Sequence, residues 1–114
     1  MMKLFGLKNC DTCRKALKVL SAAGDTPEFH DVRADGVTEA YLQRWAKAAG
    51  WKALLNTRST TWRELPDAKK QDIDEKKCLE LLAEHPTLIK RPVIEKGDAV
   101  HIGWTPDTKA ALID

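Results

Sequence analysis

The feature that most constrains this chain is a pair of cysteines, Cys10 and Cys13, placed where a strand pattern gives way to a helix pattern. The apolar run 3–7 predicts a short buried strand. The segment 14–23 carries apolar side chains at helical spacing, and 28–32 predicts a second strand. A strand, a helix and a strand within about thirty residues form a βαβ unit, so we expect the two strands to be parallel.

The C-x-x-C pair has a chemical consequence at this junction. Cys10 is expected at the N-terminal end of the helix, where unpaired backbone N–H groups and the helix dipole favour a negative charge. A thiolate is such a charge, and it is the reactive form of cysteine. Arg14 adds a cation one helical turn further on. The pattern therefore predicts a lowered pKa for Cys10 and a role for it as a nucleophile.

Two other interpretations of the pair stay open. A structural Cys10–Cys13 disulfide is one, although so short a loop constrains the chain little. A zinc site is the other, and it would need two more ligands. The chain has no second C-x-x-C, and its three histidines are far apart in sequence: His30, His85 and His101.

Bulk properties narrow the class of protein. The chain has 114 residues, 43% of them apolar and 32% charged, which fits one soluble globular domain. Its 19 basic and 17 acidic residues give a net charge of +2, too near balance to indicate direct binding of nucleic acid. We expect a cytoplasmic protein, because neither a secretory signal nor a membrane-spanning run is visible. The odd number of cysteines argues against a disulfide framework, and we also expect a monomer.

The pattern in the middle of the chain predicts helices. Three polar residues are predicted N-caps of later helices: Thr38, Asp74 and Thr105. Cys78 shares an apolar stripe with Leu81 and Leu82, which indicates a buried and inert thiol. Residues 33–36 are expected to form a turn, and 57–63 a loop that leads into a helical turn at 62–65.

The end of the chain predicts a hairpin and a last helix. A strand that begins at Pro92 is expected to pair with 99–102 through a turn at 96–98. In the last helix the apolar face is predicted to consist of Ala110, Ala111 and Ile113. The resulting order is β-α-β, helices, then β-β-α. We therefore predict an α/β, thioredoxin-like fold with a mixed sheet, a single domain over 1–114 and a helical insertion at about 38–84.

Three motifs carry a family resemblance over essentially the whole chain. Positions 9–16 read NCDTCRKA, 54–58 read LLNTR, and 85–92 read HPTLIKRP. Their order and spacing resemble the ArsC/Spx family, which includes glutaredoxin-coupled arsenate reductases, Spx transcriptional regulators and small ArsC-like proteins. The resemblance is greatest to the short YffB-type members of the last group.

The cysteines and arginines of these motifs have different roles in the three groups that the chain resembles. In arsenate reductases a cysteine at the position of Cys10 attacks arsenate and three arginines hold the oxyanion. Arg91 matches one of them, whereas Asn56 and Trp104 fall where the other two are expected, and the nearest arginine to Asn56 is Arg58. Spx proteins use a C-x-x-C followed by arginine as a disulfide switch and bind the RNA polymerase alpha subunit.

For the YffB-type proteins the resemblance implies a glutathione-dependent thiol reductase with no metal. The Cys10 thiolate would attack a disulfide sulfur, and either Cys13 or glutathione would resolve the mixed disulfide. Arg14 is expected to act with Cys10 and Cys13 in catalysis. The residues expected to bind glutathione or the substrate are Lys8, Asn9, Arg58, Arg91, Pro92 and Trp104. The Arg91–Pro92 bond is expected to be cis. A redox regulator and, less favoured, an arsenate reductase remain the alternatives.

Overall fold

Four strands form one mixed sheet in the computed structural model, which describes residues 2–113. The strands are β1 (Met2–Gly6), β2 (Glu28–Asp31), β3 (Val93–Lys96) and β4 (Ala99–Ile102). The helices are α1 (Asp11–Ala22), α2 (Val32–Asp35), α3 (Glu39–Ala49), α4 (Trp51–Leu54), α5 (Thr60–Glu64), α6 (Asp67–Lys70), α7 (Glu75–Glu84) and α8 (Pro106–Ile113). A 3₁₀ turn, Pro86–Leu88, follows α7.

The sheet has the order β2-β1-β3-β4. Strands β1 and β2 are parallel, while β1 with β3 and β3 with β4 are antiparallel. The parallel register places Gly6 beside Asp31, so the end of β2 lies next to the point where the chain leaves β1 for α1. This arrangement confirms the predicted mixed sheet and thioredoxin-like fold, including the parallel βαβ unit and the antiparallel hairpin.

The described chain divides into two compact units. The stretches up to Asp35 and from Arg91 onward form the first, here called the sheet unit, and Gly36–Lys90 form the second, the helical unit. The prediction of a single domain with an insertion at about 38–84 is not tested by this division and stays a prediction.

One apolar cluster joins the sheet to two helices within the sheet unit. Alternate residues of β1 face the same side, and Leu4 stands opposite Ile94 of β3. The cluster consists of Met2, Leu4, Cys13, Ala16, Leu20, Ile94 and Leu112, each buried. Helix α1 therefore buries the face that carries Cys13, and this packing sets where its first turn lies.

The helical unit has its own buried side chains. Helices α3, α4 and α7 contact one another, and Trp45, Cys78 and Leu82 are fully buried. The predicted caps are confirmed: the side chains of Thr38 and Asp74 accept backbone N–H groups of α3 and α7. The predicted burial of Cys78 is also confirmed.

Two local predictions are wrong at their boundaries. Residues 33–36 were expected to form a turn, but Val32–Asp35 make one helical turn because the Asp31 side chain caps it. Helix α5 begins at Thr60, before the predicted start at Trp62, because the Ser59 hydroxyl accepts the Trp62 N–H at 3.1 Å.

The predicted apolar face of α8 is also wrong. Thr108 and Leu112, spaced i and i+4, are the buried residues of this helix. The Thr105 hydroxyl accepts the Thr108 N–H, which confirms Thr105 as the predicted cap. Ile113 is 37% exposed, so its hydropathy does not indicate its position. Among residues 2–113, no helix has both the length and the apolar character needed to cross a membrane.

Leu112 and Ile113 offer a matched test of this packing. Because Leu112 belongs to the buried cluster, Leu112→Ala is expected to lower the free energy of unfolding by about 2–5 kcal/mol. Ile113→Ala, at the neighbouring exposed position, is expected to change it by less than about 0.5 kcal/mol. Urea unfolding followed by circular dichroism measures both, and equal losses would contradict the observed face.

Candidate functional site

Cys10 is the N-cap of α1 and lies between the end of β1 and the first helical turn. Its backbone is extended, its N–H donates to the Leu7 carbonyl at 3.2 Å, and its carbonyl accepts the Arg14 N–H at 3.0 Å. The side chain is partly buried. The predicted position at a helix N-terminus is confirmed, although the Cys10 side chain makes no capping hydrogen bond to the N–H groups of the first turn.

The surroundings of the Cys10 sulfur stabilise its thiolate. Burial by itself would raise the pKa of Cys10, but the backbone N–H and the thiol of Cys13 favour the charged sulfur and act to lower it. The positive charge of Arg91 and the Thr12 N–H add to this effect, so that the pKa of Cys10 is lowered. A lowered pKa increases the thiolate fraction near neutral pH, which is what a nucleophilic cysteine requires.

Cys13 has the opposite environment three residues later. It is fully buried in the apolar cluster of the sheet unit. Burial is the main reason that the pKa of Cys13 is raised to about 12, and the neighbouring Cys10 sulfur raises it further. Cys13 therefore remains a thiol, and its S–H can serve as a hydrogen-bond donor toward the Cys10 sulfur.

The cations predicted around Cys10 do not act alike. Arg91, partly buried, is the residue whose charge lowers the pKa of Cys10. The guanidinium of Arg14 lies 3.7 Å from the Asp11 carboxylate and both side chains are exposed. The Lys8 side chain is exposed, and its charge helps to lower the pKa of Asp31.

Three further predicted residues also belong to the sheet unit. The Arg91–Pro92 peptide bond is cis, as predicted. Pro92 is buried, and its backbone carbonyl accepts the Gly103 N–H at 2.7 Å. Trp104 is partly buried and packs against the same apolar cluster as Cys10. Asn9 is exposed in the turn between β1 and α1. Their roles toward a substrate stay predictions.

Arg58 belongs to the helical unit. It is exposed, its N–H donates to the Asn56 side chain at 3.1 Å, and its carbonyl accepts a bond from Arg63. The Asn56 carbonyl accepts from Ser59, whose hydroxyl caps α5. Asn56 thus organises the turn that carries Arg58, a task that a side-chain amide performs and a guanidinium cannot.

Gly6 is a functional position to which the sequence interpretation gave no role. A Cβ built on Gly6 would overlap the Cys13 sulfur and lie 3.2 Å from the Cys13 Cβ. A glycine at this point of β1 therefore leaves the space that the Cys13 thiol occupies. An isolated glycine inside an apolar strand is a known signal for such a close approach.

The remaining candidate ligands lie apart from one another. His30 stacks on Phe5, with ring centroids 4.8 Å apart, and its Nε2 lies 3.4 Å from Glu28. His85 Nε2 lies 3.5 Å from Glu84. Across residues 2–113, no group of three or more His, Cys, Asp or Glu could hold a metal ion.

Fold and site together define a class. A thioredoxin-like sheet unit that presents a cysteine of lowered pKa at a helix N-terminus is typical of thiol-based redox proteins. A model of the ArsC family matches residues 5–112, so the chain belongs to the ArsC family, in agreement with the predicted resemblance.

Known relatives support this assignment. An uncharacterized protein of Haemophilus influenzae is 43% identical over 104 residues, which cover 91% of each chain. The solved structure of a YFFB protein superposes with a TM-score of 0.94 at 40% identity and covers 100% of both chains. The global transcriptional regulator Spx of Streptococcus agalactiae is 28% identical over 118 aligned positions, covering 99% of this chain and 83% of the regulator.

The three thiols are expected to differ in reactivity toward iodoacetamide. Because the pKa of Cys10 is lowered, its alkylation should reach half its maximal rate at a lower pH than an ordinary thiol does. Arg91→Met removes the cation and should move this midpoint to higher pH. Site-resolved mass spectrometry follows each cysteine across the pH range. Cys13 and Cys78, buried and with pKa values raised to about 12 and about 11, should stay unlabelled until the protein unfolds.

The approach of Gly6 to Cys13 predicts a coupling between the two positions. Gly6→Ala is expected to cost about 1–3 kcal/mol of unfolding free energy, because the added methyl overlaps the Cys13 sulfur. In the double variant with Cys13→Ala the sulfur is absent, so part of that cost should be recovered. Additive effects of the two substitutions in a double-mutant cycle would contradict the close contact.

Proposed function

We propose that this protein is a glutathione-dependent thiol–disulfide reductase in which the Cys10 thiolate is the nucleophile. The observation that carries the proposal is the state of the Cys10 sulfur. It is partly exposed, the polar hydrogens of Cys13 and Thr12 and the charge of Arg91 favour its charged form, and its pKa is lowered. Such a sulfur suits attack on a disulfide, because the thiolate is the attacking species in thiol–disulfide exchange.

The proposed reaction has two exchange steps. The Cys10 thiolate attacks the glutathione sulfur of a mixed disulfide, a new S–S bond forms on Cys10, and the other sulfur leaves as a thiolate that takes up a proton. The thiolate of a second glutathione then attacks the glutathione sulfur bound to Cys10. Glutathione disulfide leaves and the Cys10 thiolate is restored. One mixed disulfide is reduced and one glutathione is oxidised for each turnover.

Burial favours glutathione over Cys13 in the second step. A resolving attack by Cys13 would need its thiolate, yet its pKa is raised to about 12 and its side chain is fully buried. The Cys13 thiol would instead donate a hydrogen bond to the Cys10 sulfur whenever that sulfur is free. This assigns Cys13 to stabilising the thiolate and leaves the bond exchange to external thiols.

The cation at the site suits the proposed co-substrate. Glutathione carries two carboxylates, and a charge-assisted bond from a guanidinium is among the stronger polar contacts. Arg91 acts on the Cys10 sulfur and immediately precedes the cis Pro92. A glutathione sulfur joined to Cys10 would therefore bring its own carboxylates near a positive charge.

A redox-sensing regulator is the second candidate. It is favoured by the similarity to the global transcriptional regulator Spx over 99% of this chain. In this alternative Cys10 and Cys13 would form a reversible disulfide, and the RNA polymerase alpha subunit would be the partner. Arsenate reduction is less favoured, because Asn56 stands where the resemblance leads one to expect an oxyanion-binding arginine.

A glutathione-coupled assay on a small mixed disulfide tests the proposal. Wild type should turn over, Cys10→Ser should fall to background, and Cys13→Ser should stay within about tenfold of wild type, since the attacking thiolate is retained. Cys78→Ala, a change at the buried thiol of the helical unit, is the matched control and should be unaffected.

Other outcomes discriminate between the candidates. No turnover by folded wild type with a reactive Cys10 would reject the reductase. Retention of RNA polymerase in a pull-down, controlled by the oxidation state of the two cysteines, would then favour the regulator. Background turnover by Cys13→Ser alongside active wild type would show that Cys13 resolves the mixed disulfide.

A further inference from the structure

Helix α1 carries a line of side chains that starts at the candidate nucleophile. Four residues with the spacing i, i+4, i+7 and i+8 lie on one side of the helix, here called the α1 stripe: Cys10, Arg14, Leu17 and Lys18. Arg14 and Lys18 are exposed. Leu17, like Cys10, is partly buried against the apolar cluster of the sheet unit. The stripe thus combines a reactive sulfur with one apolar side chain and two cations.

Helix stability does not explain where the positive charges of α1 lie. A cation stabilises a helix most in its last turn, and the last turn of α1 has none. The cations are instead Arg14, Lys15 and Lys18, between the second turn and the middle of the helix. Asp11 is the one acidic residue of α1. These positions favour a role for the cations at the surface beside Cys10.

Ion pairs within the chain neutralise little of this charge. A guanidinium nitrogen of Arg14 lies 3.7 Å from the Asp11 carboxylate, and both side chains are exposed. So long and exposed a pair contributes little in water, and the guanidinium can accept a better partner. Lys15 and Lys18 form no ion pair with any of residues 2–113. An acidic partner would therefore break almost no existing interaction on α1.

The length of the stripe suits a substrate longer than glutathione. At about 1.5 Å per residue, Lys18 lies about 12 Å along the helix from Cys10, and Arg14 about 6 Å. An extended chain advances by about 3.4 Å per residue. In a protein segment laid along the stripe, the residues three and four positions from the disulfide-bonded cysteine would therefore lie beside Lys18.

We propose that the α1 stripe docks acidic protein segments, and that the substrate class of this protein is a glutathione mixed disulfide on a cysteine with acidic neighbours. The inference rests on the proposed reductase function, for which it names the substrate. Carboxylates of the segment would pair with Arg14, Lys15 and Lys18. An apolar side chain of the segment would cover Leu17. A segment rich in lysine would be repelled by the same face.

Docking leaves the bonds of the proposed reaction unchanged. The Cys10 thiolate attacks the glutathione sulfur, the bond between the two substrate sulfurs breaks, and the docked protein leaves as a thiolate that takes up a proton. A second glutathione then releases the first from Cys10 as glutathione disulfide. Glutathione, already the co-substrate, supplies the electrons, so the docked protein needs no further reductant.

Two synthetic peptides test the proposal on the wild-type protein. Each has one glutathionylated cysteine and a neighbouring leucine, with glutamates three and four positions away on both sides in one peptide and lysines in the other. At low ionic strength, kcat/KM should be about tenfold or more higher for the acidic peptide. The difference should shrink in about 1 M salt, where charges are screened within about 3 Å. Equal kcat/KM values at low ionic strength would overturn the proposal.

Charge reversal locates the docking surface. Lys18→Glu should lower kcat/KM for the acidic peptide by about threefold or more and leave turnover of a small mixed disulfide within about twofold of wild type. Lys47→Glu makes the same change at an exposed position of α3, in the helical unit, and is the matched control. It should leave both activities unchanged. Equal losses in the two variants would show an effect of net charge and would overturn docking on α1.

A binding measurement separates this proposal from the reductase. The acidic peptide with serine in place of its cysteine cannot react, and its affinity at low ionic strength should fall about threefold or more in Lys18→Glu. If it binds in this way but wild type turns over no mixed disulfide, the docking surface stands and the reductase is wrong. If wild type turns over the small mixed disulfide but binds the acidic and basic peptides equally, the reductase stands and docking is overturned.

Discussion

The site depends on the close contact between Cys13 and Gly6. A glycine in β1 allows α1 to lie so near the strand that the Cys13 thiol fills the space of the missing side chain. Ala16 and Leu20 bury the same face of the helix against the sheet. These contacts fix how close α1 lies to β1 and which face it turns toward the sheet. The first turn of α1 therefore begins just after β1, with Cys10 at the N-terminus of the helix.

This contact also explains why the two cysteines differ in burial and in pKa. One helical turn separates a partly exposed sulfur at the helix N-terminus from a sulfur enclosed by apolar side chains. The first is stabilised as an anion and the second as a neutral thiol. Backbone N–H groups and the charge of Arg91 lower the pKa of Cys10, and burial raises that of Cys13.

Sequence patterns predicted what depends on neighbours along the chain. The caps at Thr38, Asp74 and Thr105 and the helix N-terminus at Cys10 follow from local hydrogen bonding, and all are present. The buried face of α8 was predicted wrongly, because its most apolar residues are Ala110, Ala111 and Ile113. The buried positions, Thr108 and Leu112, are selected by the packing of the folded sheet unit. The effect of Lys8 on the pKa of Asp31 depends on the register of β1 and β2, which composition and spacing do not indicate. The effect of Arg91 on Cys10 depends on the return of the chain toward β3, and the resemblance, not the spacing, singled out Arg91.

The difference between the cysteines also determines which of them an oxidant should modify first. Oxidation to sulfenic, sulfinic and sulfonic acids follows thiolate character and exposure. Cys10 has both, while Cys13 and Cys78 are buried and have raised pKa values. Peroxide should therefore oxidise Cys10 before the other two cysteines, which burial in the sheet unit and in the helical unit protects. A molecule oxidised in this way would lose the Cys10 thiolate while Cys13 and Cys78 keep their places in the two apolar interiors.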